Sequence, residues 1–596
     1  MGVRVAVATT EPAAEALSKS SPAAATTTGG GSNAIVALLS RRQTWQHAIA
    51  TVAVVLRNAL LSAVAALVTT WSCSRGNVVS RRSLAAQSYG EFLLATLLSG
   101  HFCFCVVATL TQSTLLLRLR FVASTARSKR RRPERFTNNS SVAASAPATL
   151  VGAVRRVARR SVGFYLLSLA VLVGITVACN ASALPRRVRE YKLEAYVGWL
   201  CCFAYTIGVG LAGRFVYKNE TVEGRTSTAI STGVVAVRRL DANHKARPTI
   251  KKKPKLTTAT AAATVAPLPM QMPAPTASVS VRVLARSPTL WQRSTRFWHA
   301  WWHVVEARAP ILLVGCVTLA YVQALSTRSI SRNSEVLALV VSNVALKLLI
   351  QRLARRVLLP RDVKTIRTMV IAVGPPIALV DTQLRVILQR ANSTQLTVVG
   401  TALLALLEVA VRAAKALATR RQLQRDWQGA EQEQPPSTQH SAVHDGEQER
   451  EPEREHEREA PLRATAKLLA FRSAELYADM VAEYIAMGCA TSILLVYWNH
   501  PKYRLAEGVV VAGGPRPSET TATTATQWSD AQTAALVLQV LVEIAVDTLS
   551  CSLEISCGVS FDGVREQRVY LAFVFVATAV GNVLISAVVF LRVDAV

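Results

Sequence analysis

The chain has 596 residues, 51% hydrophobic and only 18% charged, with a mean hydropathy of +0.28 and a formal net charge of +31. Soluble domains carry about 25% charged residues. Here the apolar residues gather in long runs between basic patches, which excludes a string of soluble domains and predicts an all-α, polytopic helical integral membrane protein with about 9–11 transmembrane helices. The Lys and Arg excess flanks those runs, as the positive-inside rule requires, so the expected partners are the lipid bilayer and anionic lipid headgroups, with no nucleic acid.

Residues 1–33 are Ala/Thr/Gly-rich, carry Glu11 and Glu15, and lack the unbroken apolar core of a signal peptide; they read as a disordered tail. A first membrane group, 34–216, holds candidate spans at 48–70, 92–113, 162–184 and 195–216. The connection 114–161 contains "ARSKRRRPERF" and "RRVARR", which places it in the cytoplasm together with the N-terminus. "GVGLAGR" (208–214) has the G-x-G-x-x-G spacing but lacks the preceding strand of a nucleotide site. Gly208 and Ala212 read instead as small residues at a helix contact. "HFCFC" (101–105) sets His101 and Cys105 on one face, read as a buried, satisfied pair.

Residues 217–308 form a basic, largely disordered cytoplasmic loop, with "KKKPK" at 251–255. Its end, "FWHAWWHVVE", aligns His299, His303 and Glu306 on one helical face, but the three tryptophans fit an interfacial belt better than a metal site. Spans at 309–326, 335–351, 366–382 and 395–413 make a second group within 309–428, and Gly374-Pro375-Pro376 is expected to interrupt the third of them. Residues 429–461 are an E/R-rich charged linker. A third group, 462–596, has spans at 484–499, 533–550 and 569–591, with an exposed loop at 513–527 and an outward-facing C-terminus. The sequons at Asn180 and Asn392 fall outside in this threading, and those at Asn138, Asn139 and Asn219 inside.

The chemistry concentrates in the last third. In "LQVLVEIAVDTLSCSLEIS", Glu543, Asp547 and Glu554 fall on one helical stripe. Just before the ninth span, Glu475, Asp479 and Glu483 repeat the pattern at i, i+4, i+8. "LLALLEVAV" (403–411) echoes "LVLQVLVEIAV" (536–546), with Glu408 over Glu543. A charge at the bilayer centre costs about 2.5–3.5 kcal/mol on insertion scales, so such acids face the bundle interior or a watery cavity. Two readings stand. The seven acids line an ion or proton pathway, or they form structural ion pairs with Arg57, Lys347, Arg385 and Arg412, the last within reach of Glu408 at i, i+4. No Walker A sequence, nucleophile elbow, zinc-protease helix or kinase set is present, so neither an enzyme nor a cofactor is expected. The ten cysteines form no C-x-x-C pair and read as small buried hydrophobes. The functional expectation is a transporter or channel-like protein with an ion- or proton-coupled C-terminal helix group acting on a small ion or solute. The alternative is a non-transporting membrane scaffold or anionic-lipid-binding protein.

Overall fold

The computed structural model describes residues 42–121, 146–181, 189, 191–227, 290–326, 333–358, 366–390, 394–432, 451–503, 505 and 530–592. The expected N-terminal tail, the "KKKPK" stretch, the 513–527 loop and the sequons at Asn138, Asn139 and Asn392 lie outside them.

The chain is all-α, as its apolar runs predict. In order, the helices are α1 (Arg42–Ser74), α2 (Tyr89–Thr114), α3 (Leu150–Ala181), α4 (Leu193–Glu220), α5 (Leu290–Ser326) and α6 (Asn333–Leu358). They continue with α7 (Ile366–Arg390), α8 (Thr394–Gln432), α9 (Glu451–Tyr497), α10 (Asp530–Ser556), the short α11 (Asp562–Glu566) and α12 (Arg568–Val589). β structure among the described residues is limited to a two-residue ladder, Arg120–Phe121 against Ala146–Pro147, and two isolated bridges, Phe121 with Thr221 and Tyr503 with Leu591. Nine of these helices are long and apolar enough, within the described residues, to cross a membrane: α1, α2, α3, α4, α6, α7, α9, α10 and α12. α5 adds a shorter apolar stretch, Leu312–Leu325. Large apolar side chains stay exposed on outer faces, among them Leu60, Val64 and Val68 of α1, Val162, Leu166 and Val171 of α3, and Val537 and Leu541 of α10. Apolar patches on that scale suit a lipid solvent rather than water.

Several boundaries differ from the sequence reading. The "RRVARR" stretch belongs to α3, which starts at Leu150. α9 starts at Glu451, inside the stretch read as a linker, and its apolar part runs from Leu468 to Tyr497. Glu475, Asp479 and Glu483 are therefore within a span, not before it. Good helix formers such as Glu, Arg, Ala and Leu carry the helix through a charged region where hydropathy alone finds no element.

α7 is also unbroken. Pro375 and Pro376 lie inside a continuous helix. A proline removes a helix hydrogen bond and crowds the preceding turn, but neighbouring helices enclose α7, burying nearly every residue from Met369 to Leu388. Packing of this kind holds prolines in membrane helices.

The core is built on α1, α7, α9 and α12, with Val52, Val55, Val373, Ile377, Tyr477, Val481 and Phe575 in one cluster. Two glycines permit close helix approach. A Cβ on Gly488 of α9 would stand 2.8 Å from the Cβ of Ala63 on α1, and one on Gly208 of α4 would stand 2.5 Å from Phe164 on α3. Cross-contacts fix the directions. Asn58 meets Tyr477 and Ser74 meets His500, so α1 runs parallel to α9. α6 and α8 run antiparallel to α9: Lys347, Gln351 and Arg355 meet Glu483, Asp479 and Glu475 in turn. Arg412 and Lys415 also meet Glu483 and Glu475.

Candidate functional site

The charged side chains of α6 to α10 converge in two layers. The first lies halfway along the spans, because Lys347 is central in Leu337–Arg356 and Glu483 is central in Leu468–Tyr497. Here the Arg412 Nη2 donates to both oxygens of Glu483, each at 2.8 Å, and to the Glu408 Oε1 at 3.1 Å. Its Nη1 donates to Asp547. The Lys347 Nζ is 2.7 Å from the Asp381 Oδ2, 3.9 Å from Glu483 and 4.0 Å from Glu408. Asn343 donates to the other Asp381 oxygen at 2.9 Å. Arg385 donates to Glu543. Carboxylate oxygens of Glu408, Glu483 and Glu543 come within 4.8 Å of one another. Among the described residues the layer thus holds five carboxylates, Asp381, Glu408, Glu483, Glu543 and Asp547, against three cations, Lys347, Arg385 and Arg412.

The second layer lies eight residues away along α9, about 12 Å at 1.5 Å per residue. Arg472 donates from Nε to the Glu554 Oε1 at 3.0 Å and from Nη1 to the Glu475 Oε2 at 3.2 Å. Arg355 donates to Glu475, and the Lys415 Nζ is 3.5 Å from the same carboxylate. Lys415 also donates to the Gln351 carbonyl, whose amide donates to both oxygens of Asp479 at 2.9 Å. This layer is balanced, with Arg355, Lys415 and Arg472 facing Glu475, Asp479 and Glu554.

All seven acids named from the sequence belong to this network, as do Lys347, Arg385 and Arg412. Arg57 does not; it is exposed on α1 and makes no ion pair among the described residues. The sequence reading missed Asp381, Arg472, Arg355, Lys415 and Gln351. Asp381 and Arg385 stand at i, i+4 on α7, and Arg472 lies three residues before Glu475, so local spacing carried a signal for both. The echo between 403–411 and 536–546 gains a spatial meaning, because its two glutamates meet in the mid-span layer.

A cleft opens between α6, α8 and α9. Val344, Leu348, Leu404 and Val411 supply its apolar lining, and Lys347, Gln351, Glu408, Arg412, Lys415 and Asp479 its polar one. Glu408 is slightly exposed there, whereas Glu483, Glu543 and Asp547 behind it are buried. Several polar atoms of the mid-span layer have no hydrogen-bond partner among the described residues: the Oε2 of Glu408 and of Glu543, the Oδ2 of Asp547 and the hydroxyl of Tyr484.

Of the other candidates, His101 has a plain structural role. His101 is buried between α2, α3 and α4, with Nε2 3.0 Å from the Ser168 Oγ and 3.4 Å from the Cys105 Sγ. Its Nδ1 is 3.6 Å from the Cys202 Sγ, and Tyr165 stacks on the ring. The thiols take opposite ring nitrogens, which suits a satisfied core histidine and not a chelate. His299 and Glu306 are exposed on α5, and the His303 side chain lies outside those described. Comparison with family models, with curated proteins and with solved structures finds no match to this chain.

Proposed function

We propose that the chain is a multi-pass membrane transporter or channel-like protein whose mid-span charged layer carries a small cation. One observation supports this above the others: among the described residues, five carboxylates share that layer with three cations, beside a cleft that reaches Glu408. Each charge placed there costs about 2.5–3.5 kcal/mol on insertion scales. Buried ion pairs are often matched or bettered in stability by packed apolar residues, so eight charges at mid-span are poorly accounted for by stability alone. Sites near the bilayer midplane, built from several helices, are where transporters hold their coupling ions.

The experiment is ion flux across proteoliposomes holding the full chain, with protons, sodium, potassium and calcium each offered in turn. Wild type should pass one of them, and Glu543→Gln combined with Asp547→Asn should abolish it while the protein elutes as a folded species. No flux of any ion by wild type overturns the reading.

A second reading, a scaffold or anionic-lipid-binding protein acting through its basic loops, is favoured by the ion pairing itself. Each carboxylate of the two layers has a Lys, Arg or Gln partner. It predicts that vesicles rich in anionic lipid bind the protein equally well with or without the acid substitutions, and that no flux exists to lose.

A further inference from the structure

We infer that the ion taken up at mid-span is a proton, held among Glu408, Glu483 and Glu543 and exchanged with the cleft through Glu408. This rests on the transport reading above and names its coupling species.

The geometry of the free atoms decides between a proton and a metal ion. Both oxygens of Glu483 accept from Arg412, one oxygen of Glu408 accepts from Arg412, and one oxygen of Glu543 accepts from Arg385. What remains of the triad is the Oε2 of Glu408 and the Oε2 of Glu543, with the Oδ2 of Asp547 and the hydroxyl of Tyr484 also without a partner in the layer. Calcium takes about six to eight oxygen ligands and magnesium a near-ideal octahedron, and these four oxygens beside the guanidinium groups of Arg385 and Arg412 supply neither. A proton needs a single lone pair. It adds to a carboxylate oxygen, forming an O–H bond and a neutral carboxyl, and nothing else is made or broken.

Charge points the same way. The groups that face this triad are Lys347 from α6, Asp381 and Arg385 from α7, Arg412 from α8, Asp479 and Tyr484 from α9, and Asp547 from α10. Asp479 is bound by Gln351 and belongs to the balanced layer. The rest, with the triad, leave the mid-span layer two negative charges in excess among the described residues. In a medium of low dielectric, adjacent carboxylates relieve such an excess by sharing protons, and the sharing belongs to the group as a whole rather than to one residue.

Tyr484 is the independent sign. Its hydroxyl is buried, stands against Asp547, and lies close to Glu483 and Glu543 without regular hydrogen-bond geometry to any of them. An O–H facing Asp547 at that point is placed to hand a proton on or to solvate one in transit. Glu408 alone of the triad reaches the cleft, which makes it the group that meets water or a substrate.

The test uses the full chain in proteoliposomes with the membrane potential clamped and an internal pH dye, beside infrared spectroscopy of the same protein. Wild type should dissipate an imposed pH gradient. Glu408→Gln should slow this by about a hundredfold, the usual worth of a positioned proton-transfer group, and Glu408→Asp should recover part of the rate. The infrared spectrum of wild type near neutral pH should contain a protonated-carboxyl band that weakens in Glu483→Gln. Flux of sodium or calcium that ignores the pH gradient overturns the proton while leaving the transport reading intact. A spectrum without protonated carboxyl at neutral pH overturns it as well, whatever the flux.

Discussion

At the scale of single residues, Arg412 holds more of the mid-span layer than any other side chain, since Glu408, Glu483 and Asp547 all accept from it. Replacing it by methionine keeps the stem but leaves three buried carboxylates facing each other. Breaking one side of a buried pair typically costs about 3–5 kcal/mol, and Arg412→Met should lose at least that much in unfolding free energy in detergent. Adding Glu483→Gln and Asp547→Asn should recover much of the loss, because the uncompensated charge goes with them; full additivity of the three changes would show that they are not coupled. The acid stripes were legible in the sequence because spacing along one helix is a local property. Their partners were legible only in part. Glu408 and Arg412 share a helix and could be paired by inspection, whereas Arg385 with Glu543 and Arg472 with Glu554 meet only through tertiary packing. Arg57 resembled Lys347 and Arg412 in sequence, an isolated base in an apolar run, yet it points outward.

At the scale of elements, apolar runs located every long helix, and their ends were the weak point. Charged helix formers extend α3 and α9 well past the hydrophobic signal, and the Pro375-Pro376 pair bends no boundary because the helices around α7 enclose it. Helix-to-helix distance was partly readable from small residues. Gly208 was placed at a helix contact from its spacing with Ala212, and it abuts Phe164. Gly488, nearer than any side chain would allow to Ala63, had no such marker. Overpacking a tight contact costs about 1–3 kcal/mol, and Gly488→Val should cost about that in thermal unfolding. Gly210→Val is the matched comparison: nothing lies within 4 Å of a Cβ there, and it should shift the midpoint little.

At the scale of the whole molecule, the helix directions are mutually consistent. α1 runs with α9, while α6 and α8 run against it. A short connection reverses the chain between α10 and α12, and Lys192, at the start of α4, donates to the Leu591 carbonyl just past the end of α12 at 2.6 Å. Together with the basic residues of 217–289 this predicts that the segment around 251–255 faces the cytoplasm and that Val596 faces the other side. An epitope at each place, probed in sealed and permeabilised vesicles, should report opposite faces; the same face for both would overturn the threading. Composition alone gave the membrane class, because lipid imposes long apolar helices on any chain that crosses it. No such rule assigns an ion, which depends on which lone pairs remain free after folding.

The contact between Asn58 and Tyr477, 3.2 Å from amide to hydroxyl, also has a time attached to it. The two residues are 419 apart in the chain. At a synthesis rate of about 5–20 residues per second, α1 waits roughly 20–80 s between its own manufacture and that of α9. Throughout that interval its buried amide has no tyrosine to meet, and α1 presents Ala63 to lipid where Gly488 will later dock. A nascent chain of this design therefore exposes polar, unmatched helix faces for much of its synthesis. Its yield in a cell should depend on whatever shelters α1 until the later helices arrive.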